Sequence, residues 1–262
     1  MSQSVKLFEQ LVKIMKRLRR ECPWDKEQTA ESLRRFVLEE AYEVVDTIDR
    51  KDWQELSEEL GDLLLQIVFQ SEIAEENEFF TLSTVIENIN QKLIERHPHV
   101  FDSKKVHSAR EVEQNWERIK LKNEHRDSLL AGIPESAPAL LRAQRIQEKA
   151  SRVGFDWKQS NEVMDKIEEE LRELRQAIMH DDSQNIEEEM GDLLFSVVNL
   201  SRFLNISAEG ALRASNNKFM HRFMKLEKNF KNDYDKMRQA GIQELDRLWE
   251  IIKAEKAKME HD

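Results

Sequence analysis

At 262 residues, with 39% hydrophobic and 35% charged side chains, the chain has room for one large domain or two ordinary ones and enough apolar mass for a core. It holds only 6 glycines and 4 prolines, too few turn residues for an all-β fold, so the sequence predicts an all-α protein of long helices and short connections. The 41 basic against 52 acidic residues give a net charge of −11, which speaks against duplex nucleic acid as a partner and means that any phosphate-handling site must recruit cations.

The first twenty residues read as an amphipathic, charged helix without the apolar centre of a signal peptide. No apolar run approaches the roughly 18 to 20 residues of a membrane span. The lone cysteine, Cys22, excludes an internal disulfide and a thiolate metal cluster. These features point to a cytoplasmic protein without a membrane partner.

A helix carrying Glu40 and Glu43 is predicted to end near Asp49, and the next to begin at Asp52, where Asp52-Trp53-Gln54-Glu55 has the spacing of a capping box. The turn between them is centred near Lys51. Further on, Lys92 and Arg96 share a helix that must stop at His97-Pro98, because the residue before proline avoids the α region. His97 and His99 therefore read as loop anchors. Gly132, Pro134 and Pro138 mark a linker from about Ser128 to Pro138. Pro138 is expected to open a helix at its first position, running to about Val153 with Gly154 as its stop. A second hairpin follows about Asp181. After it, Lys218 and Arg222 lie on a helix free to continue through Phe223-Met224-Lys225-Leu226.

The chain is written twice. Glu58-Glu59-Leu60-Gly61-Asp62-Leu63-Leu64 returns as Glu188-Glu189-Met190-Gly191-Asp192-Leu193-Leu194, and Glu40 and Glu43 return as Glu170 and Glu173, all at an offset of 130. Lys92 and Arg96 match Lys218 and Arg222 at an offset of 126, and Trp116-Glu117-Arg118-Ile119-Lys120 matches Trp249-Glu250-Ile251-Ile252-Lys253 at 133. The expectation is two tandem modules, residues 1–128 and 129–262.

Each copy sets four carboxylates symmetrically about its turn. Glu43 and Glu59 lie 8 residues either side of Lys51, and Glu40 and Asp62 lie 11 either side. Glu173 and Glu189 lie 8 from Asp181, and Glu170 and Asp192 lie 11 from it. Residues equidistant from the turn of an antiparallel hairpin sit level, and residues three apart share a helix face. All four carboxylates should then converge. The second helix of each hairpin is apolar almost all round, which predicts burial, and carboxylates on a buried helix are costly unless paired or metal-bound. An isolated Glu-x-x-Glu is an ordinary solvated feature of charged helices; a turn-symmetric quartet that occurs twice is not.

All-oxygen ligands suit Mg²⁺, Mn²⁺ or Ca²⁺. The Glu-x-x-His of di-iron bundles and the EF-hand loop are both missing from the sequence. Mg²⁺ is commonly completed by substrate phosphates, which makes a nucleotide or diphosphate the natural substrate class. Neither a P-loop nor a Rossmann glycine motif is present.

These strings, together with Cys22-Pro23-Trp24-Asp25, Arg96-His97-Pro98-His99-Val100-Phe101 and Val153-Gly154-Phe155-Asp156-Trp157, resemble the all-α nucleoside triphosphate pyrophosphohydrolases, and within them the tandem-domain MazG family, over nearly the whole chain. The resemblance implies a homodimer whose helical hairpins form four-helix-bundle cores. It implies Mg²⁺-dependent cleavage of nucleoside triphosphates between the α and β phosphates, to monophosphate and pyrophosphate, as nucleotide-pool housekeeping. Mn²⁺ is a possible substitute. The resemblance also implies that the second copy is the catalytic one. Carried over by position, Glu170, Glu173, Glu189 and Asp192 would be metal ligands. Lys218 and Arg222 would meet the phosphates, Trp249 and Lys253 the nucleotide, with Lys166 and Glu188 as further contacts. Glu169 is the candidate to orient or deprotonate the water, against a plain surface charge. Glu40, Glu43, Glu59, Asp62, Lys92 and Arg96 would form a metal-competent but less active equivalent. Two alternatives remain open from sequence: a narrower dUTP or phosphoribosyl-ATP pyrophosphatase, and a non-enzymatic helical regulator binding a basic partner.

Overall fold

The computed structural model describes the backbone of residues 2–102, 112 and 128–259, with side chains to 254. Among the described residues it is all helix: α1 Gln3–Glu21, α2 Pro23–Glu27, α3 Ala30–Arg50, α4 Trp53–Glu76, α5 Leu82–Arg96, α6 Pro98–Phe101, α7 Ala139–Ser151, α8 Ser160–Met179, α9 Ser183–Phe203, α10 Ala208–Asn229 and α11 Tyr234–Met259. The chain divides into two compact units, Met1–Glu124 and His125–Asp262. The Trp116–Lys120 string of the repeat lies outside the described residues. No helix among them is long and apolar enough to cross a membrane.

In the first unit α3 and α4 form an antiparallel hairpin, with α1 and α5 both laid against α4. The hairpin turn follows from two local devices. Lys51 adopts the left-handed region (φ 58°) that ends α3, and the Asp52 carboxylate accepts a hydrogen bond from the Glu55 amide at 3.1 Å, starting α4. The Glu55 side chain does not reach back to complete a capping box; it pairs with Arg50 at 2.7 Å instead. The core gathers Met15, Leu33, Val68, Phe69 and Ile73, flanked by Phe8, Leu11, Phe36 and Leu65.

In the second unit the α8–α9 hairpin is built the same way, with Asp181 left-handed (φ 53°) and Asp182 capping α9 through the Asn185 amide at 3.3 Å. Helix α7 packs on α9 and α10, and α10 packs on α11. The repeat is also visible in what is buried. Leu33, Thr47 and Val68 are buried, and so are Val163, Ala177 and Val198, each 130 residues later. A second core cluster joins Leu226, Met237 and Ile252 to Phe230, Leu248 and Trp249.

Both units also bury a cation at matching positions. Arg19, 8% exposed, pairs with Glu76 and donates to the carbonyls of Asp25 and Gln28, which fastens α2 to α1. Lys149, 7% exposed, donates to the carbonyls of Leu129 and Ala131 at 3.0 and 2.8 Å, which fastens the linker to α7. Carbonyl oxygens already committed to a cation leave it satisfied although it is out of water.

Two sequence expectations are corrected. Pro138 has an extended ψ of 137° and caps α7 from outside instead of occupying its first turn. That helix ends at Ser151, two residues early, and Gly154 (φ 85°) takes the left-handed position beyond it. In the single chain Leu60, Leu64 and Ile67 on α4, and Met190, Leu194, Phe195 and Val197 on α9, are exposed. Hydrophobic runs broken by a single polar residue, Gln66 on α4 and Ser196 on α9, put apolar side chains on more faces than the partners within one unit cover.

Candidate functional site

Each hairpin brings three carboxylates together. Oxygens of Glu40, Glu43 and Glu59 lie within 4.8 Å of one another, and so do those of Glu170, Glu173 and Glu189. Glu40 and Glu43 are one turn apart on α3, Glu170 and Glu173 one turn apart on α8, and the third member comes from the facing helix. Asp62 and Asp192 sit outside these groups and are exposed, one turn further along α4 and α9. Their charges nevertheless act on Glu40 and Glu189.

The second copy is the more enclosed. Glu170 is only 4% exposed, whereas Glu40 is half-buried. Lys166, one turn before Glu170 on α8, donates to Glu170 Oε1 at 2.8 Å and to Glu169 Oε1 at 3.0 Å. Those two carboxylates hold the Lys166 ammonium well above its usual range, Glu170 contributing more than Glu169. Glu188, beside the triad, is exposed.

Three of the clustered carboxyls, Glu40, Glu59 and Glu189, resist ionisation. Burial pushes the Glu40 carboxyl above its ordinary value, and Asp62, Glu43 and Glu39 push it further. Burial likewise raises Glu59, helped by Glu43, and raises Glu189, helped by Glu173, Glu170 and Asp192. A carboxyl with a raised folded-state value stabilises the fold below its ordinary value of about 4.5 and loses that contribution as pH rises through the raised one. Without a divalent cation these three carboxyls therefore strain the fold at neutral pH, and a cation held there would relieve the strain. The rise in Tm produced by Mg²⁺ is expected to be larger at pH 7.5 than at pH 5. Differential scanning calorimetry at both values checks this; an equal rise at both would separate the cation's effect from these carboxyls.

The remaining sequence candidates lie on α10, α11 and α5. Lys218 is exposed and Arg222 half-buried on α10, and the Arg222 Nε is shielded from solvent without a hydrogen-bond partner. A shielded guanidinium nitrogen with a free donor is suited to an anionic oxygen. Trp249 on α11 is half-buried, its ring 5.0 Å from that of Phe219 and part of the second core cluster. Lys253 is exposed and pairs with Glu250 at 2.9 Å. On α5, Lys92 is exposed and Arg96 half-buried at the last turn. His97 ends that helix, its Nδ1 2.7 Å from the Leu93 carbonyl.

Two features, the Arg202–Asp156 pair and Phe36, lie outside the sequence reading. The bidentate pair of Arg202 with Asp156 ties the Gly154–Trp157 loop to the end of α9 across 46 residues. Nothing in a local pattern announces it. Phe36, by contrast, was within reach: the offset of 130 sets it opposite Lys166.

The donor set fits a hard divalent cation. It consists of oxygen alone, lies within the span of one ion, and carries more negative charge than its neighbours neutralise.

Both units are similar to known proteins. The family model described as "MazG nucleotide pyrophosphohydrolase domain" matches residues 28–101 and 158–226, one segment in each unit. The chain is similar to the nucleoside triphosphate pyrophosphohydrolase/pyrophosphatase MazG of Thermotoga maritima, 48% identical over 251 residues, covering 94% of this chain and 96% of that protein. It is also similar to the nucleoside triphosphate pyrophosphohydrolase of Escherichia coli K12, 42% identical over 256 residues, covering 94% and 97%. A solved mazG-related protein from Thermotoga maritima, at 29% identity and a TM-score of 0.39, covers 43% of this chain and 97% of its own.

Proposed function

The chain belongs to the MazG nucleotide pyrophosphohydrolase family, and on that footing we propose that it hydrolyses nucleoside triphosphates between the α and β phosphates, yielding monophosphate and pyrophosphate. The observation that carries the reading is the Glu170, Glu173 and Glu189 triad. It is an all-oxygen site held on two helices, with Lys166 at its edge and family identity behind it. Glu170, Glu173 and Glu189 would hold Mg²⁺, or Mn²⁺ in its place, with Asp192 as the next ligand along α9. Mg²⁺, when bound there, neutralises phosphate charge and acidifies coordinated water.

The chain's own residues supply the rest. Lys218 and Arg222 receive the negative charge of the phosphates, with the free Arg222 Nε as one donor. Trp249 and Lys253 face the nucleoside end, and Glu188 lines the approach. Glu169 orients a water molecule or takes its proton. Its carboxylate is held by Lys166 at 3.0 Å, which fixes its direction. Glu40, Glu43, Glu59, Asp62, Lys92 and Arg96 form the corresponding first-copy site, and we assign the two modules to residues 1–128 and 129–262. The biological role is housekeeping of the cytoplasmic nucleotide pool.

A panel of ribo- and deoxyribonucleoside triphosphates with Mg²⁺, resolved by ³¹P NMR, tests the reaction. Monophosphate and pyrophosphate are expected. Diphosphate with orthophosphate would move cleavage to the β–γ bond. Turnover confined to dUTP would narrow the substrate.

We propose further that two chains pair. The exposed Leu60, Leu64 and Ile67 on α4, with Met190, Leu194 and Phe195 on α9, then become the cores of four-helix bundles. Static light scattering at micromolar concentration is expected to give twice the 31.1 kDa chain mass. A stable monomer would contradict the pairing.

A further inference from the structure

The two triads match, yet one neighbour differs. Four residues before Glu170 stands Lys166, and four residues before Glu40 stands Phe36. This position lies on the triad's own helix face. In the second unit it places an ammonium 2.8 Å from Glu170 and 3.0 Å from Glu169. In the first unit it places a ring with no donor. Phe36 packs against the core, meets Trp24 edge-on at 6.1 Å and lies 4.5 Å from the Arg35 guanidinium carbon. Among the described residues no ion pair reaches Glu40, Glu43 or Glu59.

We propose that this exchange selects the copy that turns over. Lys166 is the positioning residue that makes the second site productive, and Phe36 leaves the first a metal-holding site that does not process triphosphate. The proposal rests on the hydrolase reading above. Side-chain identity at the other positions assigned to the site does not separate the copies, because it is the same in both: Glu39 and Glu169, Glu58 and Glu188, Lys92 and Lys218, Arg96 and Arg222. Tyr42 and Arg172 also differ, but both are exposed and lie two residues from Glu40 and Glu170, on another face.

Charge and geometry both favour Lys166. A triphosphate is a polyanion approaching a group of carboxylates, and a single divalent cation leaves that assembly net negative. An ammonium within hydrogen-bond reach offsets the repulsion where the dielectric is low. The same ammonium bridges Glu169 and Glu170, so it fixes the directions of a candidate base and a metal ligand together. The first copy keeps its carboxylates and therefore its attraction for a divalent cation, but lacks both effects.

The test uses the full chain with ATP and Mg²⁺. In a background silenced by Glu173→Gln and Glu189→Gln, Phe36→Lys is expected to raise kcat/KM for pyrophosphate release at least tenfold, and adding Glu43→Gln should abolish the gain. In the otherwise unaltered chain, Lys166→Met is expected to lower kcat/KM at least tenfold, with Mn²⁺ binding retained, while Lys166→Arg keeps most of the rate. Because Phe36 touches the core, circular dichroism accompanies each variant; if Phe36→Lys does not fold, the Lys166 pair decides the matter. A folded Phe36→Lys without gain, or Lys166→Met at the unaltered rate, would overturn the proposal. An unaltered chain that releases no pyrophosphate would sink the hydrolase reading itself, and this inference with it.

Discussion

Glu173→Gln and Glu189→Gln are each expected to lower pyrophosphate release by about 100-fold or more, while Glu43→Gln and Glu59→Gln leave it within a few-fold. Glutamine keeps the shape of glutamate and removes its charge. Metal stabilisation of a phosphoryl-type transition state is worth several kcal/mol, and about 1.4 kcal/mol is a factor of ten in rate. Removing one of three converging carboxylates from the second triad therefore has a large effect. The first triad has the same three glutamates but stands in poorer surroundings. Its ammonium position is Phe36, and α5 ends at Arg96 before Pro98, whereas α10 runs on from Arg222 to Asn229. A cation at the last turn of a helix is held less firmly than one in the middle. Asp192→Ala should act in the same direction as the second-triad variants. Steady-state kinetics on variants with native circular dichroism provides the comparison. Equal losses in the two triads would mean that both copies catalyse.

Leu33→Ala is expected to destabilise the first unit by about 2–5 kcal/mol, the range for emptying a well-packed leucine site. Leu33 is 1% exposed and lies at the meeting of α1, α3 and α4, with Met15 and Val68 beside it in the core. Nothing in that packing can move into the gap without abandoning contacts of its own. Urea unfolding followed by far-ultraviolet circular dichroism should show the loss as a lower midpoint. A midpoint unchanged from the unaltered chain would mean that the hairpin is not held by this core.

The hairpins were legible because their signals are local. A run of apolar residues, an aspartate three residues before a glutamate, and carboxylates spaced evenly about Lys51 and Asp181 all lie within thirty-odd residues, and helix geometry converts spacing directly into height and face. The three-carboxylate groupings follow from that. What the spacing could not convey is which carboxylates meet most closely: Asp62 and Asp192 have the right register, but the tight groups are formed by the glutamates. Buried Arg19 and Lys149 were hidden for a different reason. Arg19 meets Glu76 across 57 residues, and Lys149 meets carbonyls of a linker that has no pattern of its own. The kink within α11 rests on one residue, Gly241, whose φ of 71° only glycine adopts at little cost. A lone glycine in a helical stretch does not reveal whether it bends the chain. Hydrophobicity predicts that the apolar faces of α4 and α9 are covered but not by which chain.

The claim at the centre of this account is that the carboxylate triads hold the divalent cation. Titration of Mn²⁺ followed by electron paramagnetic resonance measures it directly, since free and bound ions give separable signals. The unaltered chain is expected to bind Mn²⁺ in both copies, and Glu173→Gln with Glu189→Gln to lose the second-copy population while the first-copy population remains. Unchanged Mn²⁺ binding in that double variant, with the fold intact, would contradict the claim and place the cation elsewhere.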